Sequence, residues 1–178
     1  MENKFVNKFV KDTRALVIDN YLPREQFEEL KNIICSDNFQ WPWYYNKFVD
    51  DREKGETHEH FCFNHLVYDH YVQNSSFFED FLPLINKINP NALIRVKVNA
   101  YPKNGDKIIT HNSHIDYDFT HKGALFYLNT CNGKTILEDG TEIDSVANRI
   151  LFFDSSRPHQ STNCTDAKMR FNININYF

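Results

Sequence analysis

The chain reads as a mainly β domain with flanking helices, and three observations carry that expectation. Residues 94–101 and 170–177 alternate apolar and polar side chains with the two-residue period of a half-buried strand. Residues 124–129 and 150–153 are short, nearly continuous apolar runs, as in strands buried on both faces. Two stretches of the front half instead space their apolar residues as helices do. A chain of 178 residues is one domain's worth and can bury a substantial core. With no internal repeat and no linker-like composition, one domain over residues 1–178 is expected: 1–91 as helical support and a substrate-facing loop, 92–178 as the β core carrying the site.

Along the chain, Ala15 to Ile18 is a short strand, and Pro23 sits near the start of a helix whose Phe27, Leu30, Ile33 and Ile34 form one apolar stripe. Residues 36–74 hold Trp41, Trp43, Tyr44 and Tyr45 with His58, His60, His65 and His70. Those histidine spacings match no common ligand pattern, so a packing role is expected for them. The region reads as a long loop over the mouth of the site, where aromatic loops suit substrate recognition, and its charged run 50–56 as solvated. A second helix is expected from Ser76, with Glu79 completing a capping box. Phe77, Phe81, Leu84, Ile85 and Ile88 would face the core, Pro83 would kink the helix, and Asn89-Pro90 would stop it.

In the back half, Ile94, Val96, Val98 and Ala100 share one face of a strand, and Arg95, Lys97, Asn99 and Tyr101 share the other, which suits a wet cavity. After the apolar run 124–129, Asn132-Gly133 offers a tight turn that would return Thr135-Ile136-Leu137 as a hairpin partner. The run Ile150 to Phe153 is a core strand, and the loop from Asp154 to Pro158 delivers His159. In the last strand Phe171, Ile173, Ile175 and Tyr177 oppose Arg170 and three asparagines. Asparagine is a poor strand former, and a merely solvated face would favour threonine, so Arg170 and Asn172 are read as lining a polar cavity. Asn174 and Asn176 fit either that cavity or a solvated side.

Chemistry concentrates in His114-Ile115-Asp116, followed by His159 and Arg170. Two imidazoles and one carboxylate can cap one triangular face of an octahedral divalent iron and leave the opposite face open. On a strand, His114 and Asp116 project to the same side, and His159 would join them from another strand. His111, three residues before His114, would face away and serve as a supporting or loop residue; His121 could ligate only if the motif were shifted. Zinc stays open, because two histidines and a carboxylate also hold catalytic zinc, although neither His-Glu-x-x-His nor a thiolate cluster stands in the sequence. An arginine beyond the second histidine could anchor an anion bidentately.

These motifs resemble those of the iron(II)- and 2-oxoglutarate-dependent dioxygenases, particularly the prolyl-4-hydroxylase-like branch. The likeness covers residues 92–178 in detail and the front half in outline. It implies a double-stranded β-helix, a cupin-like jelly-roll, with N-terminal helices packed on one sheet. It further implies metal ligation and catalysis by His114, Asp116 and His159, and 2-oxoglutarate binding by Arg170, Tyr101, Tyr127, Asn99 and Asn172. The family's Gly-Gly-Glu-Thr appears here as Asn132-Gly133-Lys134-Thr135, a departure at two positions that leaves the metal set untouched. Such an enzyme uses Fe(II), O2 and 2-oxoglutarate, with room for ascorbate as a reductant, to hydroxylate a C–H bond of a prolyl or other amino-acid residue or of a small molecule. Three alternatives stay open: a nucleic-acid demethylase of the same superfamily, a non-catalytic cupin-type binding module, and a zinc hydrolase.

A net charge of −4 without a basic stripe argues against an extended nucleic-acid grip and leaves a peptide, protein or small molecule as the expected partner. Cys35, Cys62, Cys131 and Cys164 are scattered without metal-type spacing, as suits reduced thiols in a cytoplasmic protein. Residues 1–14 lack the apolar core of a signal peptide, and no run reaches transmembrane length, so no membrane partner is expected.

Overall fold

Residues 8–9, 15–36, 41–47, 49 and 60–178 are described by a computed structural model; the run 50–56, His58 and most of the first fourteen residues lie outside the described residues. Strand β1 (Lys8–Phe9), strand β2 (Leu16–Ile18) and helix α1 (Arg24–Cys35) open the chain. Strands β3 (Tyr44–Asn46), β4 (Cys62–Asp69) and β5 (Val72–Gln73) follow, then a 3₁₀ turn (Phe78–Phe81) leading into helix α2 (Leu82–Ile88). The back half is all strand: β6 (Leu93–Pro102), β7 (Lys122–Tyr127), β8 (Cys131–Leu137), β9 (Glu142–Ser145), β10 (Arg149–Phe153), β11 (His159–Ser161) and β12 (Met169–Tyr177).

These strands form two antiparallel sheets, the architecture of a double-stranded β-helix. The larger runs β1-β2-β10-β7-β12-β6-β4-β3, with β5 paired to β4, and the smaller runs β11-β8-β9. Strand β12 lies between β7 and β6, so both of its edges are hydrogen-bonded and both of its faces can be buried. Its outer face, Ile173, Ile175 and Tyr177, joins Val96 and Val98 of β6, Ala124 and Phe126 of β7, and the stripes of both helices in one core cluster. As expected, Phe27, Leu30, Ile33 and Ile34 supply the stripe of α1, and Leu84 and Ile85 that of α2. Between the sheets a second cluster joins Leu125 and Tyr127 of β7 to Leu137, Ile143, Leu151 and Phe153.

Strand register carries the polar face inward. Arg170 lies opposite Tyr101, Asn172 opposite Asn99, Asn174 opposite Lys97 and Asn176 opposite Arg95. Directly opposed residues share a face, so two separate alternations become one polar wall. Asn174 and Asn176, undecided between cavity and solvent in the sequence, are both buried.

Four expectations are corrected. Asn132-Gly133 makes no turn: both residues lie within β8, which crosses to the smaller sheet instead of pairing with β7. Glycine is needed there for proximity, since a Cβ would lie 2.5 Å from the Asn163 carbonyl oxygen and 2.6 Å from Cδ of Arg170. The capping box at Ser76 does not form; the 3₁₀ turn starts at Phe78 without a side-chain cap, and the hydroxyl of Ser75 accepts from the Phe77 N–H at 3.2 Å. Pro83 falls in the first turn of α2, where its missing N–H has no partner to lose, so it starts the helix and does not kink it. Residues 62–69 are not loop but a strand of the main sheet, paired with β6. The stop at Asn89 is as expected: it is left-handed (φ 55°, ψ 58°), and its N–H reaches the Ile85 carbonyl at 3.0 Å.

Ile175 is fully buried between β12 and the helices. Ile175→Ala is expected to lower the unfolding free energy by about 2–5 kcal/mol, as read by urea denaturation.

Candidate metal centre

His114 and His159 face each other across an isolated antiparallel bridge. Each backbone N–H donates to the other's carbonyl, at 3.0 Å and 2.9 Å, and the rings leave this bridge with centroids 4.5 Å apart. Asp116 follows in a bend, pinned by its N–H to the Ser155 carbonyl at 3.1 Å. The expected continuous strand through 114–116 is thus a bridge and a bend, yet ligand atoms of His114, Asp116 and His159 all lie within 4.8 Å of one another.

Protonation states favour a metal. The Nδ1 of His159 lies 3.0 Å from the Arg157 carbonyl, and that of His114 3.3 Å from the Asn112 carbonyl. A carbonyl only accepts, so each Nδ1 carries a proton and each Nε2 is the nitrogen left to face a metal. Burial, followed by the neighbouring His159, pushes His114 down to about 4. Burial would push the Asp116 carboxyl up, but Arg95, then His159, Lys97 and the Asn176 amide, outweigh it and hold the group well below the carboxylate range. Arg95 Nη2 donates to Asp116 Oδ1 at 2.8 Å, Asn176 Nδ2 to Oδ2 at 2.8 Å, and Asn174 Nδ2 to Oδ2 at 3.2 Å. Two imidazoles and one ionised carboxylate form a donor set that fits octahedral iron(II) and also admits zinc.

The polar wall continues away from this cluster. Asn99 Nδ2 donates to Asn172 Oδ1 at 3.0 Å. Lys97, Asn99, Tyr101, Thr135, Asn172 and Asn174 line a narrow cavity together with His114 and His159, and Leu125 provides an apolar patch. Arg170, fully buried, stands behind Thr135: its Nη2 donates to Thr135 Oγ1 at 2.8 Å, Nε to Ser145 Oγ at 2.6 Å and Nη1 to the Thr162 carbonyl at 3.1 Å. Its guanidinium lies 5.4 Å from the Tyr101 ring centre and 5.6 Å from that of Tyr127. Tyr127 donates to Thr135 Oγ1 at 2.9 Å. Burial pushes the Tyr101 phenol up to about 12 and raises that of Tyr127, so both are donors at neutral pH. None of Arg170's hydrogen-bond partners among the described residues is a carboxylate. Two roomier surface depressions, one around Tyr21, Phe27 and Asn148 and one around His121, Phe152 and Phe178, hold no part of the His–Asp–His cluster.

The other histidines have separate roles. His121 meets the Ser155 hydroxyl through Nε2 at 2.7 Å and the Phe119 carbonyl through Nδ1 at 2.8 Å, so both of its ring nitrogens are occupied and it stands outside the His–Asp–His cluster. His111 packs on the Tyr101 ring and meets Ser161 Oγ at 2.8 Å. His65 meets the Pro42 carbonyl at 2.8 Å beside Trp41, which is the packing role expected. Sequence reasoning missed Arg95, Thr135 and Ser145. Alternation placed Arg95 on the polar face, but only the register with Asn176 aims it at Asp116.

No family model matches the chain, and no curated protein matches its sequence. Solved structures do match its fold. A prolyl hydroxylase from Trichoplax adhaerens, solved with a peptide of the hypoxia inducible factor oxygen degradation domain, superimposes with a TM-score of 0.68 at 19% identity, over 94% of this chain and 84% of that one. A Burkholderia pseudomallei oxidoreductase of the 2OG-Fe(II) oxygenase family gives 0.65 at 10% identity, over 94% and 86%. A prolyl-4-hydroxylase from Pseudomonas putida gives 0.62 at 16% identity, over 92% and 91%. The fold is that of the 2OG-Fe(II) oxygenases. In this oxygenase fold the residues that the motif resemblance pointed to line one cavity between the two sheets or stand at its edge. No helix among the described residues is long and apolar enough to cross a membrane.

Two predictions follow from the protonation states. Burial, then Arg170 and neighbouring histidines, hold His111 neutral down to about 3, against 6.5 in an unfolded chain. The unfolded state binds more protons between those values, so stability should fall as pH drops from about 6.5 toward 3. His111→Gln is expected to flatten that slope in thermal melts across pH. Arg95→Met removes the main group that holds Asp116 ionised, and is expected to weaken divalent metal binding at least about tenfold in calorimetry, more at acid pH, through loss of a buried charge pair.

Proposed function

We propose that this protein is an Fe(II)- and 2-oxoglutarate-dependent oxygenase that hydroxylates a C–H bond of a prolyl or other amino-acid residue, or of a small molecule. One observation carries the reading: a fully buried guanidinium without a carboxylate partner among its described contacts stands just behind the cavity onto which a preorganised His–Asp–His face opens. A buried cation is expensive unless an anion meets it. A dicarboxylate reaching between the two features would supply that anion at one end and metal donors at the other.

The roles of the side chains follow. His114, Asp116 and His159 hold the iron, and Arg95, Asn174 and Asn176 keep the Asp116 carboxylate ionised and fixed in direction. Arg170 and the Thr135 hydroxyl receive the distal carboxylate, with Tyr101 and Tyr127 as phenolic neighbours that stay protonated. The Asn99–Asn172 pair and Lys97 orient the keto-acid end, and Leu125 keeps that part of the wall apolar. Iron bound here supplies the oxygen chemistry, in which 2-oxoglutarate and O2 yield succinate and carbon dioxide while the substrate is hydroxylated. The enclosing sheets exclude water and keep the oxidant away from the surrounding chain.

A protein or peptide substrate agrees with the exposed aromatics Tyr44 and Tyr45 on the edge strand β3, and the fold neighbours include prolyl hydroxylases. A net charge of −4 keeps nucleic acid in second place.

The test is anaerobic loading with Fe(II) and 2-oxoglutarate, followed by oxygen and assay of succinate. Slow substrate-free succinate formation is expected, and Asp116→Ala should abolish it; metal-dependent hydrolysis indifferent to 2-oxoglutarate would support the zinc alternative instead. Arg170→Ala is expected to raise the 2-oxoglutarate dissociation constant by more than about a hundredfold, the scale of a lost buried bidentate pair. Metal affinity, measured separately by calorimetry, should change less than about threefold.

A further inference from the structure

Cys131 and Cys164 stand 33 residues apart in sequence, yet the fold brings their sulfurs within 4.8 Å of each other, while the Cys164 thiol donates to the Ala167 carbonyl at 3.5 Å. Among the described residues, two groups of three metal-ligating side chains place their donor atoms within 4.8 Å of one another: the His–Asp–His face, and Cys131 with Cys164 and Asp166. We propose that Cys131, Cys164 and Asp166 form a second cation site, selective for a thiophilic divalent ion of the zinc class.

The donors are held by a scaffold complete without the ion. Cys131 opens β8, while Cys164 and Asp166 lie in the connection from β11 to β12. The two segments are stitched at Asn132: its N–H donates to Asp166 Oδ1 at 2.9 Å, its Nδ2 to Thr165 Oγ1 at 2.8 Å, and its Oδ1 accepts from the Thr165 N–H at 2.9 Å. The Asp166 carboxylate is therefore aimed before any ion arrives. Tetrahedral zinc with bonds of about 2.3 Å to sulfur sets two thiolates about 3.8 Å apart, inside the envelope these donors occupy.

Donor softness separates the two sites. The imidazole and carboxylate face suits iron, whereas two thiolates with one carboxylate favour zinc or cadmium. Both sulfurs are buried and Asp166 is exposed, so the ion enters past the carboxylate, and water completes the fourth position on that side. Each thiol that ligates releases its proton to solvent. An ion here ties β8 to the segment that leads into β12, four residues before Arg170.

The test titrates the full-length protein, reduced with a phosphine, with Cd²⁺ alone while recording the ultraviolet thiolate-to-cadmium charge-transfer band, to which the histidine site does not contribute. The band is expected to saturate at one equivalent and to be displaced by Zn²⁺. Cys131→Ser and Cys164→Ser should each abolish it. Asp166→Asn keeps an oxygen for the Asn132 amide and should weaken cadmium binding at least about tenfold. No band, a band surviving both serine variants, or unchanged affinity in Asp166→Asn would overturn the proposal.

Discussion

Burial of Ile173 and Ile175 against the helices dictates the interior, because a strand cannot hide one face without committing the other. Every second residue of β12 then points between the sheets, and those positions hold Arg170, Asn172, Asn174 and Asn176. Strand β6 repeats the arrangement one lattice step away, and the register of the two strands superposes the polar rows. A one-residue slip would expose the isoleucines and place four polar groups against the helices, so the apolar packing enforces the polar site.

That interior holds two strong charges satisfied in different ways. Asp116 meets Arg95 and two amides, an arrangement closed within the protein. Arg170 meets hydroxyls and a carbonyl, which fill its hydrogen-bonding geometry but leave its charge unbalanced by those contacts. The first arrangement fixes a carboxylate in direction, and the second leaves electrostatic demand for something brought from outside. The contrast gives the wall a direction, from a fixed anion near the histidines to an uncompensated cation beyond Thr135.

Sequence alternation and helical stripes exposed the strands of the back half and the buried faces of both helices, because burial acts locally on every second or every third and fourth residue. The His–x–Asp pair and the distant His159 were legible through their order, as was Arg170. Pairings between distant strands were not. Asn132-Gly133 has the composition of a turn, yet its glycine answers to crowding from Asn163 and Arg170, contacts formed only after β8 crosses to the other sheet. The same long-range pairing hid Arg95 as the partner of Asp116, and it joined two cysteines that no spacing rule connects. Strand β4 went unseen because its polar and aromatic residues match neither simple pattern, although the sheet accepts it beside β6.

The missing methyl group at position 133 has an evolutionary consequence. One of the atoms that would collide with it is a backbone oxygen, which no side-chain replacement elsewhere can move out of the way. Drift at this position is therefore blocked, while the partly exposed Lys134 beside it can vary within the same strand. A descendant of this chain could change what it acts upon by rebuilding its rim, but it would inherit that glycine unchanged.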